Sequence, residues 1–318
     1  MSGTSPSGSP STFADGVRLA IGTLSVFPVR PGTVDRGTAR IAMTAAPLVG
    51  ALLGAVGGAV LVVALWLGIT PLPASVLAVA ALALLTRGLH LDGLADLADG
   101  LGSGRPAGQA LEVMKRSDIG PFGVVTLVLT LLVQVAALAE VTATGMGPVT
   151  LVTACAAGRL ALTWACRAGV PSARPDGLGA MVSGTVRRGP ALAVTALVLA
   201  GAAALAFLHS AGAFGPWSPG ALPWSLPHGE YEISQEIGDL GAFDLGGTSP
   251  VDGLLLRWGN TSAAVWGPPV AVLAGLLAAW ALRRRAVRRL GGITGDVLGA
   301  LVETATATAL VVCAMAVG

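Results

Sequence analysis

Seven long apolar runs separated by polar connections constrain this chain more than any other feature. They are Ile41–Leu67, Leu72–Leu85, Phe122–Val141, Val149–Cys166, Ala191–Leu208, Ala264–Leu282 and Val297–Val317. A helix needs roughly 20 apolar residues to cross the hydrocarbon core of a bilayer. Only Leu72–Leu85 is clearly short of that, and it is expected to extend into its flanks. Charged residues make up 11% of the chain and hydrophobic ones 53%. A soluble domain carries about 25% charge, so this chain cannot clothe a water-facing surface with polar groups. The 45 Gly and 20 Pro follow no three-residue period and there are only three Cys, which excludes collagen and a disulfide scaffold. The expected fold is all-α: a polytopic transmembrane helical bundle of about seven spans.

Residues 1–12 are rich in Ser, Gly and Pro and read as a disordered tail. No basic stretch followed by an apolar core and a cleavage site marks a secretory signal. Residues 13–318 read as one transmembrane helical domain that opens on a short amphipathic stretch, Phe13–Val29. An acidic insertion at 209–262 carries Glu230, Glu232, Glu236, Asp239, Asp244 and Asp252. Of the 19 Lys and Arg, seventeen fall on alternate connections, only Arg257 lies on the other side, and Arg159 sits within a span. Cytoplasmic loops carry the excess of positive charge, so the N-terminus is expected in the cytoplasm and the insertion outside a cell (inner or plasma) membrane. Gly50, Gly54 and Gly58 would let one helix approach another closely. Cys155, Cys166 and Cys313 form no CxxC pair and read as small packing residues.

Polar chemistry gathers on the basic side. After the second run comes His90-Leu-Asp92-Gly-Leu-Ala-Asp96-Leu-Ala-Asp99. Spacings of four and three stack the three carboxylates on one helix face. Such a stack repels itself unless protons or a cation neutralise it, and Mg²⁺, which favours oxygen ligands and shares its shell with phosphates, suits it. A solvated acidic helix end and a cation or proton pathway are the competing readings. Further along, Lys115 and Arg116 can meet phosphate charge or merely flank a span, and Ser117 can cap the helix entered at Pro121. The last run opens with Thr294-Gly-Asp296 and reaches Glu303 two turns later. Thr294 is a candidate N-cap. Glu303 and Arg159, ionisable groups inside apolar helices, are functional candidates by default; Arg159 could pair with a carboxylate or face phosphate.

The segments HLDGLADLADG, EVMKRSDIGPFG and GGITGDVLGALVE together resemble the adenosylcobinamide-GDP ribazoletransferase (cobalamin 5'-phosphate synthase) family, and the resemblance runs from about Phe13 to the C-terminus. It implies a Mg²⁺-requiring membrane transferase that joins α-ribazole, or its 5'-phosphate, to adenosylcobinamide-GDP and releases GMP. The family often reads Asp-Ser-Arg where this chain has Arg116-Ser117-Asp118. On this reading Asp92, Asp96, Asp99 and Asp296 hold metal, and Lys115, Arg116 and Arg159 bind phosphate. Asp99, Glu303 or His90 accepts the proton of the attacking hydroxyl. Membrane lipid is an expected partner and nucleic acid is not; homo-oligomerisation stays open. A CDP-alcohol phosphatidyltransferase would expect Asp-Gly-x-x-Ala-Arg, whereas Ala95 is followed here by Asp96. A cation or metabolite transporter is the other alternative.

Overall fold

A computed structural model describes residues 12–30, 32–213 and 250–317. The tail read over 1–12, apart from Thr12, and residues 214–249 of the insertion lie outside the described residues. The helices, in chain order, are α1 (Phe13–Leu24), α2 (Arg36–Trp66), α3 (Pro71–Leu85), α4 (Leu89–Gly102), α5 (Ala107–Val113), α6 (Pro121–Ala143), α7 (Gly147–Ala165), α8 (Gly177–Val182), α9 (Arg188–Ser210), α10 (Pro250–Leu290) and α11 (Gly295–Val317). Among the described residues there are no strands, only isolated bridges at Arg167–Val186 and Ser172–Ile293. The all-α membrane bundle expected from the apolar runs is what the chain forms. Because α10 begins at Pro250, the last part of the stretch assigned to the insertion, which ended at residue 262, is helical and continuous with the sixth run.

Among the described residues, six helices are long and apolar enough to cross a membrane: α2, α6, α7, α9, the Val265–Leu290 part of α10, and α11. The seventh apolar run is α3, whose 15 residues reach about 22 Å at 1.5 Å per residue, less than the roughly 30 Å hydrocarbon core. Arg87 and Gly88 then take positive φ, 56° and 67°, and α4 leaves at 87° to α3. The bend has a physical reason, since three aspartates lie ahead and hydrocarbon is a costly place for them. We therefore read α4 as crossing the end of the bundle, outside the spanning segments.

Helix α7 is the hub. Nearly every residue from Val149 to Ala165 is buried, between α2, α9, α10 and α11. Small residues permit this. A Cβ at Gly54 of α2 would lie 2.6 Å from the Cα of Val152, and one at Gly50 would strike the Cys155 carbonyl; the close approach expected of this Gly row is present. All three cysteines are free and buried.

The connections assigned to one side by their charge are tied together at one end of the bundle. Arg36 donates to the Ala180 and Ser183 carbonyls at 2.8 and 2.7 Å, joining α2 to α8. Arg174 donates to the Leu111 carbonyl of α5 at 2.7 Å, and Arg289 at the end of α10 donates to the Arg105 carbonyl at 3.4 Å. The acidic helix α4 lies at this end.

Candidate functional site

The site begins where α4 crosses α11. A Cβ at Gly93 would lie 2.7 Å from the Asp296 carbonyl oxygen, and one at Gly299 would lie 3.1 Å from the Cα of His90. Only glycine lets these two backbones meet, and their meeting brings Asp92 and Asp96 to Asp296. Thr294 fixes the start of α11, its Oγ1 accepting from the Val297 N–H at 3.2 Å and donating to the Asp296 carboxylate at 3.2 Å. The N-cap expected at Thr294 is therefore there.

A second connection is welded to this one. Ser172 pairs with Ile293 in an isolated bridge: the Ala173 N–H donates to the Ile293 carbonyl at 3.0 Å, and the Ile293 N–H to the Pro171 carbonyl at 2.9 Å. A side chain at Gly292 would strike the Ser172 backbone. The weld delivers Arg174 and Asp176 to a cavity of about 300 Å³ whose polar wall also holds His90, Asp92, Thr294 and Asp296. Thr23 and Leu24 of α1 and Met43 of α2 close it with apolar surface.

Asp96, one turn further along α4, lines an adjacent cavity of about 240 Å³ with Asp99, Ser103, Arg105, Arg116 and Asp118. Partial burial, and then the charges of Asp92, Asp296 and Asp99, push its carboxyl up to about 7, with Arg174 pulling weakly the other way. Carboxylates of one site that cannot all ionise cheaply call for protons or a cation. Among the described residues, no three His, Cys, Asp or Glu side chains form a ready-made metal cage. Mg²⁺ does not require one, because it is usually held by one or two carboxylates together with substrate phosphates and water. The pair Asp92 and Asp296, beside Arg174, is a donor set of that kind.

The other residues singled out from the sequence make different contacts. Asp99 accepts from the N–H groups of Gly120 and Gly123 at 2.8 and 3.0 Å, so it is the N-terminal cap of α6. Ser117, expected to cap that helix, lies three residues before its N-cap residue, Gly120. Arg159 is 3% exposed and points into the interior, not onto the wall of the Asp92–Asp296 cavity. Its Nη2 lies 3.4 Å from His90 Nδ1. Glu303 accepts from Gln134 Nε2 at 2.8 Å and shares with Arg159 a cavity of about 30 Å³, apart from the acidic crossing. Lys115 reaches Glu112 at 3.2 Å on the exposed surface, whereas Arg116 faces the cavity that holds Asp96. A guanidinium can only donate, so His90 Nδ1 accepts and its ring proton sits on Nε2. Arg174 and Asp176 were not picked out as site residues from the sequence. Their trace there was the short Arg174-Pro-Asp-Gly177 run between two spans, with no periodicity to mark it.

Comparison with known proteins identifies the family. The sequence profile of the Cobalamin-5-phosphate synthase family matches residues 16–314. The chain is 38% identical to the adenosylcobinamide-GDP ribazoletransferase of Frankia casuarinae over 94% of each chain. It is 36% identical to that of a Nocardioides species over 93% of this chain and 96% of the relative, and 31% identical to that of Corynebacterium efficiens over 96% and 93%. No solved structure matches it. Matched by the profile along nearly its whole length and similar throughout to these relatives, the chain belongs to the cobalamin-5-phosphate synthase family.

Proposed function

We propose that this chain is an adenosylcobinamide-GDP ribazoletransferase of cobalamin synthesis, joining α-ribazole or its 5'-phosphate to adenosylcobinamide-GDP with release of GMP. One observation carries the reading beyond family membership: the glycine-mediated crossing of α4 and α11 sets Asp92, Asp96 and Asp296 together beside Arg174 and two cavities. That is equipment for displacement at a diphosphate, where positioning and charge neutralisation supply most of the catalysis.

In the reaction, the ribose hydroxyl oxygen forms a bond to the phosphorus bearing cobinamide. The bond from that phosphorus to the GMP oxygen breaks, and GMP leaves with the electron pair. Asp92 and Asp296 would hold Mg²⁺, which supplies neutralising charge for the diphosphate. Arg174 offers the planar donors that suit phosphate oxygens. His90, protonated on Nε2, orients the substrate as a donor and not as a base. Asp96 accepts the hydroxyl proton; a carboxylate titrating near neutral pH is matched to that task. Asp99 supports the reaction indirectly, by docking α6 against α4. Arg159 and Glu303 brace the helices behind His90.

The excess of basic residues on the connections gathered at this end supports an active site that faces the cytoplasm from the cell membrane, with lipid around the spans. The deciding experiment is GMP release by the purified chain from adenosylcobinamide-GDP, α-ribazole and Mg²⁺. Release that needs both acceptor and Mg²⁺ and stops with chelator is expected. Uptake of corrinoid into vesicles without GMP release would instead make the carboxylates a transport relay.

A further inference from the structure

We infer that the basic margin formed by the end of α7, the start of α9 and the last turns of α10 binds the phosphodiester of an anionic phospholipid, held between Arg167 and Arg283. The site lies apart from the proposed chemistry, since neither arginine lines the cavities of Asp92 and Asp96.

Two arginines meet here with no carboxylate between them. Arg167 follows the last turn of α7, and Arg283 lies two turns before the end of α10. Both are partly buried, and their like charges oppose one another. Among the described residues the ion pairs are Asp15–Arg18 and Glu112–Lys115, neither of them at this margin. The packed helices cannot supply an acid. From Gly147 to Ser210 the chain carries only Asp176, which lines the other site, and α10 carries only Asp252, at its opposite end. Arg167 Nε is shut off from solvent and has no hydrogen-bond partner among the described residues, a costly state for a charged donor. Paired like charges with a donor left over call for an anion.

The surroundings say which anion. The Arg167 guanidinium is held over the Trp164 ring, 5.8 Å from its centroid, and Trp164 is itself fixed to α9, its Nε1–H donating to Thr195 Oγ1 at 2.9 Å. The Val186 N–H donates to the Cys166 carbonyl at 3.0 Å and the Ala168 N–H to the Val186 carbonyl at 2.8 Å, which ties the end of α7 to the start of α9. Helix α9 opens on Arg187 and Arg188 with no side-chain cap, so positive side chains sit at the positive end of its dipole. On α10, Arg284 lies over the Trp280 ring, 5.5 Å from its centroid. Trp rings at the ends of spanning helices mark the level of the headgroups, and basic recesses between such helices seat anionic ones. Leu192 early in α9, and Leu277 and Trp280 just before Arg283, are exposed. Acyl chains cover such surface and a free phosphate does not, so the occupant is a lipid.

The test uses the full chain, delipidated in a neutral detergent, and reads thermal unfolding, so it does not depend on turnover. The protein is titrated with phosphatidylglycerol, with phosphatidylcholine of the same acyl chains, and with inorganic phosphate. Phosphatidylglycerol is expected to raise the melting temperature, as a ligand of the folded state does, and the other two to leave it nearly unchanged. Arg167→Gln and Arg283→Gln should each raise the half-effect concentration of phosphatidylglycerol about tenfold, the worth of one charge-assisted hydrogen bond. Arg18→Gln, which removes the same charge elsewhere, should titrate like the native chain. Native mass spectrometry should find phosphatidylglycerol retained on the native chain and lost from Arg283→Gln, which decides the matter if Arg167→Gln fails to fold. Equal shifts from the two lipids overturn the inference, as does an equal shift from inorganic phosphate, a tenfold change in Arg18→Gln, or an Arg283→Gln variant that titrates like the native chain.

Discussion

At the scale of the residue, three aspartates that look alike in sequence have three different surroundings. Asp92 meets the Asp296 cavity, Asp96 the adjacent one, and Asp99 the end of α6. Spacings of four and three were enough to put them on one face, but which helix each would meet was not legible, because the eight residues from Asp92 to Asp99 pass several neighbours. Asp96 is therefore the residue on which the proposed chemistry turns. Its carboxyl is raised from 3.8 to about 7, by burial first and by Asp92, Asp296 and Asp99 next. A base must be ionised to act, so kcat/KM should fall by about tenfold per pH unit on an acid limb and level off above it, and Mg²⁺ on Asp92 and Asp296 should draw that limb below 7 by cancelling their charge. Asp96→Asn should lower kcat about 10²- to 10⁴-fold and remove that limb, while donor KM stays near native. A pH–rate profile of GMP release measures both, and an Asn variant that keeps the limb would take the proton from Asp96 and give it to another group.

At the scale of the element, the apolar runs foretold the helices well, because hydrocarbon length and backbone hydrogen bonding leave few alternatives. The 87° bend after α3 was less legible, since it rests on two left-handed residues and not on any break in hydropathy. Least legible was the junction of the Pro171–Ala173 and Ile293 backbones, which brings Arg174 into the site and depends on contacts more than a hundred residues apart in sequence. The α4–α11 crossing shows how far a single atom can matter here. Gly93→Ala adds a Cβ within 2.7 Å of the Asp296 carbonyl oxygen and 2.9 Å of its Cα. Backbone cannot yield as a side-chain tip can, so the helices must part, at a cost of about 1–3 kcal/mol for overpacking. The variant should melt several degrees lower and need more Mg²⁺ for half-maximal GMP release, because Asp92 and Asp296 move apart together with their helices. A variant with native melting and native Mg²⁺ demand would show that the crossing does not hold the two carboxylates together.

At the scale of the whole molecule, the bundle separates two jobs that the sequence ran together. The interior group of Gln134, Arg159 and Glu303 joins α6, α7 and α11 in the apolar core, and it reaches the site only through His90. For Arg159 the sequence left open a carboxylate partner or substrate phosphate, and the polar contacts that a polytopic bundle needs between its helices account for the interior position it takes. The ends of the bundle differ as well. One end collects α4, α5, α8 and the basic terminus of α10 through the hydrogen bonds of Arg36, Arg174 and Arg289, so the proposed diphosphate donor, which is highly charged, must be met there. If that end faces the cytoplasm, a cysteine at Ser117, exposed between α5 and α6, should react with an impermeant maleimide only in inverted vesicles. One at Ala211, exposed where α9 ends, should react only from outside intact cells. Cys155, Cys166 and Cys313 are buried and give little background. The two sites lie at opposite ends of a span crossing, so their labelling must be opposite in sign. Labelling of both from one side would contradict the crossing of α9, and a reversed pair would place the site, and with it the nucleotide chemistry, on the outer face.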